Sequence, residues 1–144
     1  MYDNHIDVKG MICLESIGYY SDADHSQRFP LKEMESMYGT KGNFIAVVQN
    51  DKNEKFSSQI ANLLLNQNLT ETELLKSNAS ISGVDFSDHL NYWKFNYEAV
   101  MITNTAFYRN KNYHTDKDLL KTLDLKKLNL VILQLYNAIV KLNE

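Results

Sequence analysis

One cysteine, Cys13, stands in the whole sequence, which excludes an internal disulfide and a cysteine-built zinc cluster. Pro30 is the lone proline, and no internal repeat or low-complexity segment is present. No apolar run approaches the roughly 20 residues that span a bilayer, and the polar opening MYDNHIDVKG lacks the apolar centre of a signal peptide. A basic excess is missing too. The formal charge is −3 with a pI near 5.8, so no cationic footprint for nucleic acid or an anionic membrane surface exists. The chain as given is expected to be soluble and cytoplasmic, with neither nucleic acid nor membrane as a partner.

What is there is ordinary globular composition, 44% hydrophobic and 23% charged over 144 residues, enough for one domain and one core. The run Gly10-Met11-Ile12-Cys13-Leu14 reads as a buried strand with Glu15 at its C-terminal end, where open α/β sheets place ligand-binding groups. Tyr19 to Gly42 reads as a long loop over the sheet rather than a regular element. Asn43 to Gln49 is expected to be a second, inner strand. Phe56, Ile60, Leu63 and Leu64 recur at helical spacing and predict an amphipathic helix from residue 53 to about 67. Thr70 to Glu73 fits a capping box but leads nowhere helical, so a short strand or irregular link is expected there. Ser87 is placed as the N-cap of a short helix carrying Leu90, Trp93 and Tyr92 inward, with Asp88 and His89 in its first turn. Ala99 to Thr103 is a third strand. Asp124 caps a last helix to about Leu142, whose apolar face would comprise Leu125, Leu128, Val131, Ile132, Leu135, Ile139 and Leu142. The alternation predicts an α/β layered domain spanning residues 1–144.

The chemistry-bearing stretch is Asn104 to Thr115, NTAFYRNKNYHT, which delivers His114 from a loop after a strand. A catalytic zinc needs at least three protein ligands and an open position. From the residues alone, Glu15 and His114 offer two good ligands. Cys13 shares a strand face with Glu15 but is read as core. The DADH segment around His25 has no ligand spacing and is read as a solvated loop. Ser87, Asp88 and His89 are adjacent in one helical turn, so they diverge and cannot line up as a nucleophile, base and orienting acid.

Two segments carry a resemblance. GMICLESIGYYSD, followed by GVDFSDHLNYWKFNYEAVMITNTAFYRNKNYHTDKDLLKTLD, resembles the C-terminal half of the zinc aminopeptidases, the family that includes bacterial leucyl aminopeptidases and is related to the glutaminyl cyclases. The resemblance covers nearly the whole chain and implies a partial mixed sheet with packing helices. It implies that Glu15 ligates one zinc and His114 the other. It places Ser87, Asp88 and His89 beside the active site as support, Tyr108 and Arg109 on the substrate-facing loop, and Asp118 behind the histidine loop.

In that family a further zinc-binding histidine, a metal-bridging aspartate and a Glu-Glu pair that supplies the general base lie upstream, and only nine residues precede Gly10 here. His5 and Asp7 sit too close to the first strand to replace them. The expectation is therefore the C-terminal part of a two-zinc metallopeptidase that cleaves N-terminal peptide bonds, inactive alone and not expected to hold its zincs by itself. Its partners would be a peptide substrate in the intact enzyme and a complementing N-terminal chain or a second copy. The alternative is a non-catalytic binding or assembly module on the same scaffold; a glutaminyl-cyclase-like acyl transfer in the intact protein is a narrower third.

Overall fold

The computed structural model describes residues 2–52 and 54–142. Among these residues four five-residue strands form one mixed sheet: β1 (Met11–Glu15), β2 (Ile45–Gln49), β3 (Thr72–Lys76) and β4 (Ala99–Thr103). Their spatial order is β1-β4-β2-β3. β1 runs parallel to β4 and β3 parallel to β2, while β2 and β4 are antiparallel. The two central strands, IAVVQ and AVMIT, are buried at every position, as strands covered on both faces must be.

Side chains alternate across the sheet and build two cores. On one face Ile45, Val47, Val100 and Ile102 meet Ile60, Ala61 and Leu64 of α2 (Lys55–Leu65) and Val131, Leu135 and Ala138 of α4 (Leu125–Leu142). On the other, Cys13, Ala46, Val48, Ala99 and Met101 meet Val84 and Trp93, the latter from the short helix α3 (His89–Lys94). The architecture is thus an α/β layered domain with a partial mixed sheet and packing helices, as expected. The segment from Thr70 onward is the strand of the two options. Position 53, the expected start of α2, lies outside the described residues.

Two expectations are corrected. The excursion from Tyr19 to Gly42 is not irregular throughout: it holds a helix, α1 (Glu33–Tyr38), which buries Met34, and it is closed by a backbone bond from Ser21 N–H to the Gly42 carbonyl at 2.9 Å. The broad apolar face of α4 is narrower than its composition suggests. Val131, Gln134, Leu135 and Ala138 are buried at i, i+3, i+4 and i+7, whereas Leu125, Ile132 and Tyr136 are 56%, 52% and 65% exposed. The inward stripe includes a polar residue because Gln134 ties three elements together. Its amide donates to the Leu64 carbonyl (2.7 Å) and to Thr72 Oγ1 (2.9 Å), and its oxygen accepts from Thr70 (2.7 Å). Asp124 does cap α4, accepting from the Lys126 and Lys127 N–H groups at 3.0 Å each.

Candidate functional site

Glu15 ends β1 on the face that carries Cys13, two residues before it. Its half-buried carboxylate collects hydroxyl donors from three parts of the chain. Ser87 Oγ donates to Oε2 at 3.0 Å, Ser16 Oγ to Oε1 at 3.1 Å, and Tyr113 Oη to Oε1 at 3.4 Å. Ser87 Oγ also lies 3.2 Å from Cys13 Sγ. This corrects the capping reading of Ser87: α3 begins one residue later, its N-cap position is Asp88, no side chain caps it, and the Ser87 hydroxyl is turned across the sheet edge to Glu15. A local helix signal could not show a partner 72 residues upstream.

His89 makes no hydrogen bond to that carboxylate among the described residues. It is fully buried, its Nε2–H donates to the Val84 carbonyl, and its ring stands edge-on to Trp93 with centroids 4.6 Å apart at 86°. Burial holds its pKa below the ordinary histidine value, with Val84, Asp85, Asp88 and Glu15 opposing that shift. Its Nδ1 has no partner among the described residues. Asp88 is exposed.

The loop after β4 starts with Thr105 and Ala106 both in the left-handed region, at φ 70° and 45°, so the chain turns sharply back over the sheet edge. Tyr108 lines the pocket described below and donates to the Ser82 carbonyl at 3.2 Å. Arg109 turns the other way and is 3% exposed. Its Nε donates to Gln27 Oε1 (2.8 Å) and its Nη1 to the Phe44 carbonyl (2.7 Å), while the guanidinium carbon lies 4.5 Å from the Phe44 ring centroid. Burial lowers its pKa to about 10. Of the two residues expected on a substrate-facing loop, Tyr108 faces the pocket and Arg109 supports the loop from behind. The close approach of this side chain explains Gly42, where a Cβ would fall 2.7 Å from Arg109 Cδ.

Further along, Asn110 Nδ2 donates to Asp118 at 2.9 Å and Asn110 Oδ1 accepts from the Asn112 N–H, so Asp118 braces the base of the histidine loop. His114 itself is exposed, at φ 58°, and its ring lies flat on Tyr113 with centroids 3.9 Å apart. Tyr113 therefore touches both candidate ligands, stacking on His114 and donating to Glu15. Sequence reading passed over Tyr113, although it stands next to His114 in the motif. Burial and the Glu15 charge raise its phenol pKa.

Glu15 and Tyr113 also line a pocket of about 100 Å³ on the same sheet face, walled by Phe29, Met34, Tyr38 and Phe44. His114 is not among its lining residues. As donors for zinc, one carboxylate and one exposed imidazole fit two positions of a coordination shell, but no group of three His, Cys, Asp or Glu side chains converges among the described residues. The donor set present does not make a zinc site by itself.

No family model matches the chain. It is 42% identical over 135 residues to YfbL of Escherichia coli K12, an uncharacterized protein, in an alignment covering 91% of this chain and 42% of YfbL. Among solved structures it superposes on the LapA aminopeptidase of Legionella pneumophila with a TM-score of 0.62 and 18% identity, over 94% of this chain and 31% of LapA. A second LapA crystal structure gives a TM-score of 0.60 at 19% identity, over 95% and 33%. The fold is that of part of an aminopeptidase. The chain spans less than half the length of the curated relative it matches and about a third of LapA. No helix among the described residues is long and apolar enough to cross a membrane.

Proposed function

We propose that the chain is the C-terminal portion of a zinc aminopeptidase-type domain, contributing Glu15 and His114 as one ligand each to a two-zinc centre completed by residues outside this sequence. The observation that carries this reading is the Tyr113 bridge: one ring touches the carboxylate at the end of β1 and the imidazole of the next loop, beside a pocket able to receive a side chain. Ser87 and Ser16 hold the carboxylate, and Asp118 holds the loop. The share of YfbL and LapA that the chain covers supports a site divided between this segment and the rest of such a protein.

Zinc titration of the 144-residue chain, followed by calorimetry and by release of p-nitroaniline from leucine p-nitroanilide, tests the proposal. The chain alone should bind zinc weakly and turn nothing over. Joined to the part of YfbL that it does not cover, it should take up zinc and hydrolyse the substrate, and Glu15→Ala or His114→Ala should abolish both. Stoichiometric binding of two zincs with turnover by the chain alone overturns the divided site; a folded, joined protein without zinc uptake or turnover overturns the peptidase reading.

A second reading, an assembly module without chemistry, draws on α4, whose Leu125, Ile132 and Tyr136 stand outward, and on Leu14 of the edge strand β1, which is 53% exposed. Under either reading these faces receive a complementing chain or a second copy.

A further inference from the structure

The sheet register places a second carboxylate in the same pocket. Glu15 pairs with Thr103, Thr103 with Ala46, and Ala46 with Glu73. These four residues form one straight row across β1, β4, β2 and β3, on one face, and all four line the pocket. At about 4.8 Å per strand the terminal Cα atoms are about 14 Å apart, so the row carries a carboxylate at each end with Thr103 and Ala46 between.

The Glu73 end is built differently from the Glu15 end. Hydroxyl donors surround Glu15, whereas the Glu73 carboxylate makes neither a hydrogen bond nor an ion pair among the described residues. Around it the pocket wall is aromatic and apolar. Tyr38 is pinned there by its own hydroxyl, which donates to the carbonyl of the adjacent Leu74 at 3.1 Å, and its ring lies 6.0 Å from that of Phe29. Burial, followed by the Glu71 charge, raises the Glu73 pKa, while Glu73 in turn raises that of Tyr38. Among the described residues the one cation on the pocket lining, Arg28, directs Nη2 to the Phe107 carbonyl at 2.7 Å. A half-buried carboxylate in the lining of a mainly apolar, aromatic-walled pocket is the chemistry that receives an organic cation.

We propose that this pocket takes an unbranched aliphatic chain ending in a cation, as a lysine side chain does, with the apolar walls holding the stem and Glu73 the head. As a statement about substrate this rests on the aminopeptidase reading, since it makes Glu73 the residue that selects a basic N-terminal side chain. As a statement about binding it needs neither zinc nor turnover.

Calorimetric titration of the metal-free 144-residue chain with L-lysinamide and L-norleucinamide, which share the stem and differ in the terminal ammonium, tests it. Lysinamide should bind about tenfold more tightly. Glu73→Gln should remove the difference while leaving norleucinamide unchanged, and Glu71→Gln, an exposed residue just before β3 that does not line the pocket, should preserve it. Equal or tighter binding of norleucinamide, a lysinamide preference that survives Glu73→Gln, or no binding of either amide overturns the inference. A Glu73-dependent preference in a chain whose joined form never hydrolyses a peptide overturns the peptidase reading alone.

Discussion

The Ser87 hydroxyl donates to Glu15 Oε2 at 3.0 Å, joining the entry to α3 with the end of β1. The bond does two things. It aims the carboxylate, and it ties the second core, to which both segments belong, at the sheet's open edge.

Ser87→Ala should therefore destabilise the fold by about 1.5–3 kcal/mol, in the range for a hydrogen bond to a charged acceptor. Urea unfolding of the single variants and of Ser87→Ala in a Glu15→Gln background isolates the cause. Coupling of about 1 kcal/mol between the two sites is expected. If Ser87 acted as a helix cap, its substitution would cost the same in either background.

Burial of His89 gives stability a defined pH dependence. A histidine with a lowered pKa in the folded state binds its proton less readily there than in the unfolded chain. Stability is therefore retained above the unfolded value of 6.5 and falls as pH drops below it, by no more than about 1.4 kcal/mol per pH unit from this group. His89→Gln keeps a donor for the Val84 carbonyl and removes the titration. Unfolding free energies measured from pH 7 to 5 should decline less steeply in that variant than in the wild type. Identical slopes would show that His89 does not titrate between the two states.

Arg109→Lys should cost about 2–4 kcal/mol, although the charge is kept. The guanidinium satisfies Gln27 and the Phe44 carbonyl at once and lies over the Phe44 and Tyr20 rings. A lysine ammonium cannot reproduce that fork, and it would leave a buried carbonyl without its donor. Thermal or urea unfolding gives the measure; a loss below about 0.5 kcal/mol would mean that the loop after β4 does not depend on this anchor.

How much of this was legible in the sequence depended on range. β2 and β4 announce themselves because each is a run of β-branched and apolar residues covered on both faces, and Asp124 announces α4 because its partners are two and three residues away. α1 leaves no periodic signal, since it buries only Met34 within a polar stretch. Ser87 carries a local helix-cap signal, but its actual partner, Glu15, is remote in sequence. Glu15 and the His114 loop could be singled out from their motifs, but the Tyr113 bridge needed three dimensions. Glu73 could not have been placed in the same pocket at all, because the order β1-β4-β2-β3, which puts it in line with Glu15, is not written in any local pattern.

The two sides of α4 separate packing from assembly. Gln134→Leu conserves volume on the inward side but removes the three bonds that join α4 to Leu64, Thr70 and Thr72, leaving the Leu64 carbonyl with the Gln67 N–H and the Thr72 hydroxyl with the Thr70 carbonyl, so it should cost about 1–3 kcal/mol in urea unfolding. Ile132→Ser with Tyr136→Ser acts on side chains 52% and 65% exposed, and its effect on unfolding should stay within about 0.5 kcal/mol per site. The second change bears instead on association. Wild-type chain followed by size-exclusion chromatography with light scattering should self-associate as concentration rises, and the double variant should remain monomeric over the same range, because the outward apolar strip is what a second copy or a complementing chain would cover. A wild type that stays monomeric throughout would show that the α4 strip does not join copies of this chain, and a double variant that associates equally well would move the assembling surface away from α4 and onto the open edge of β1.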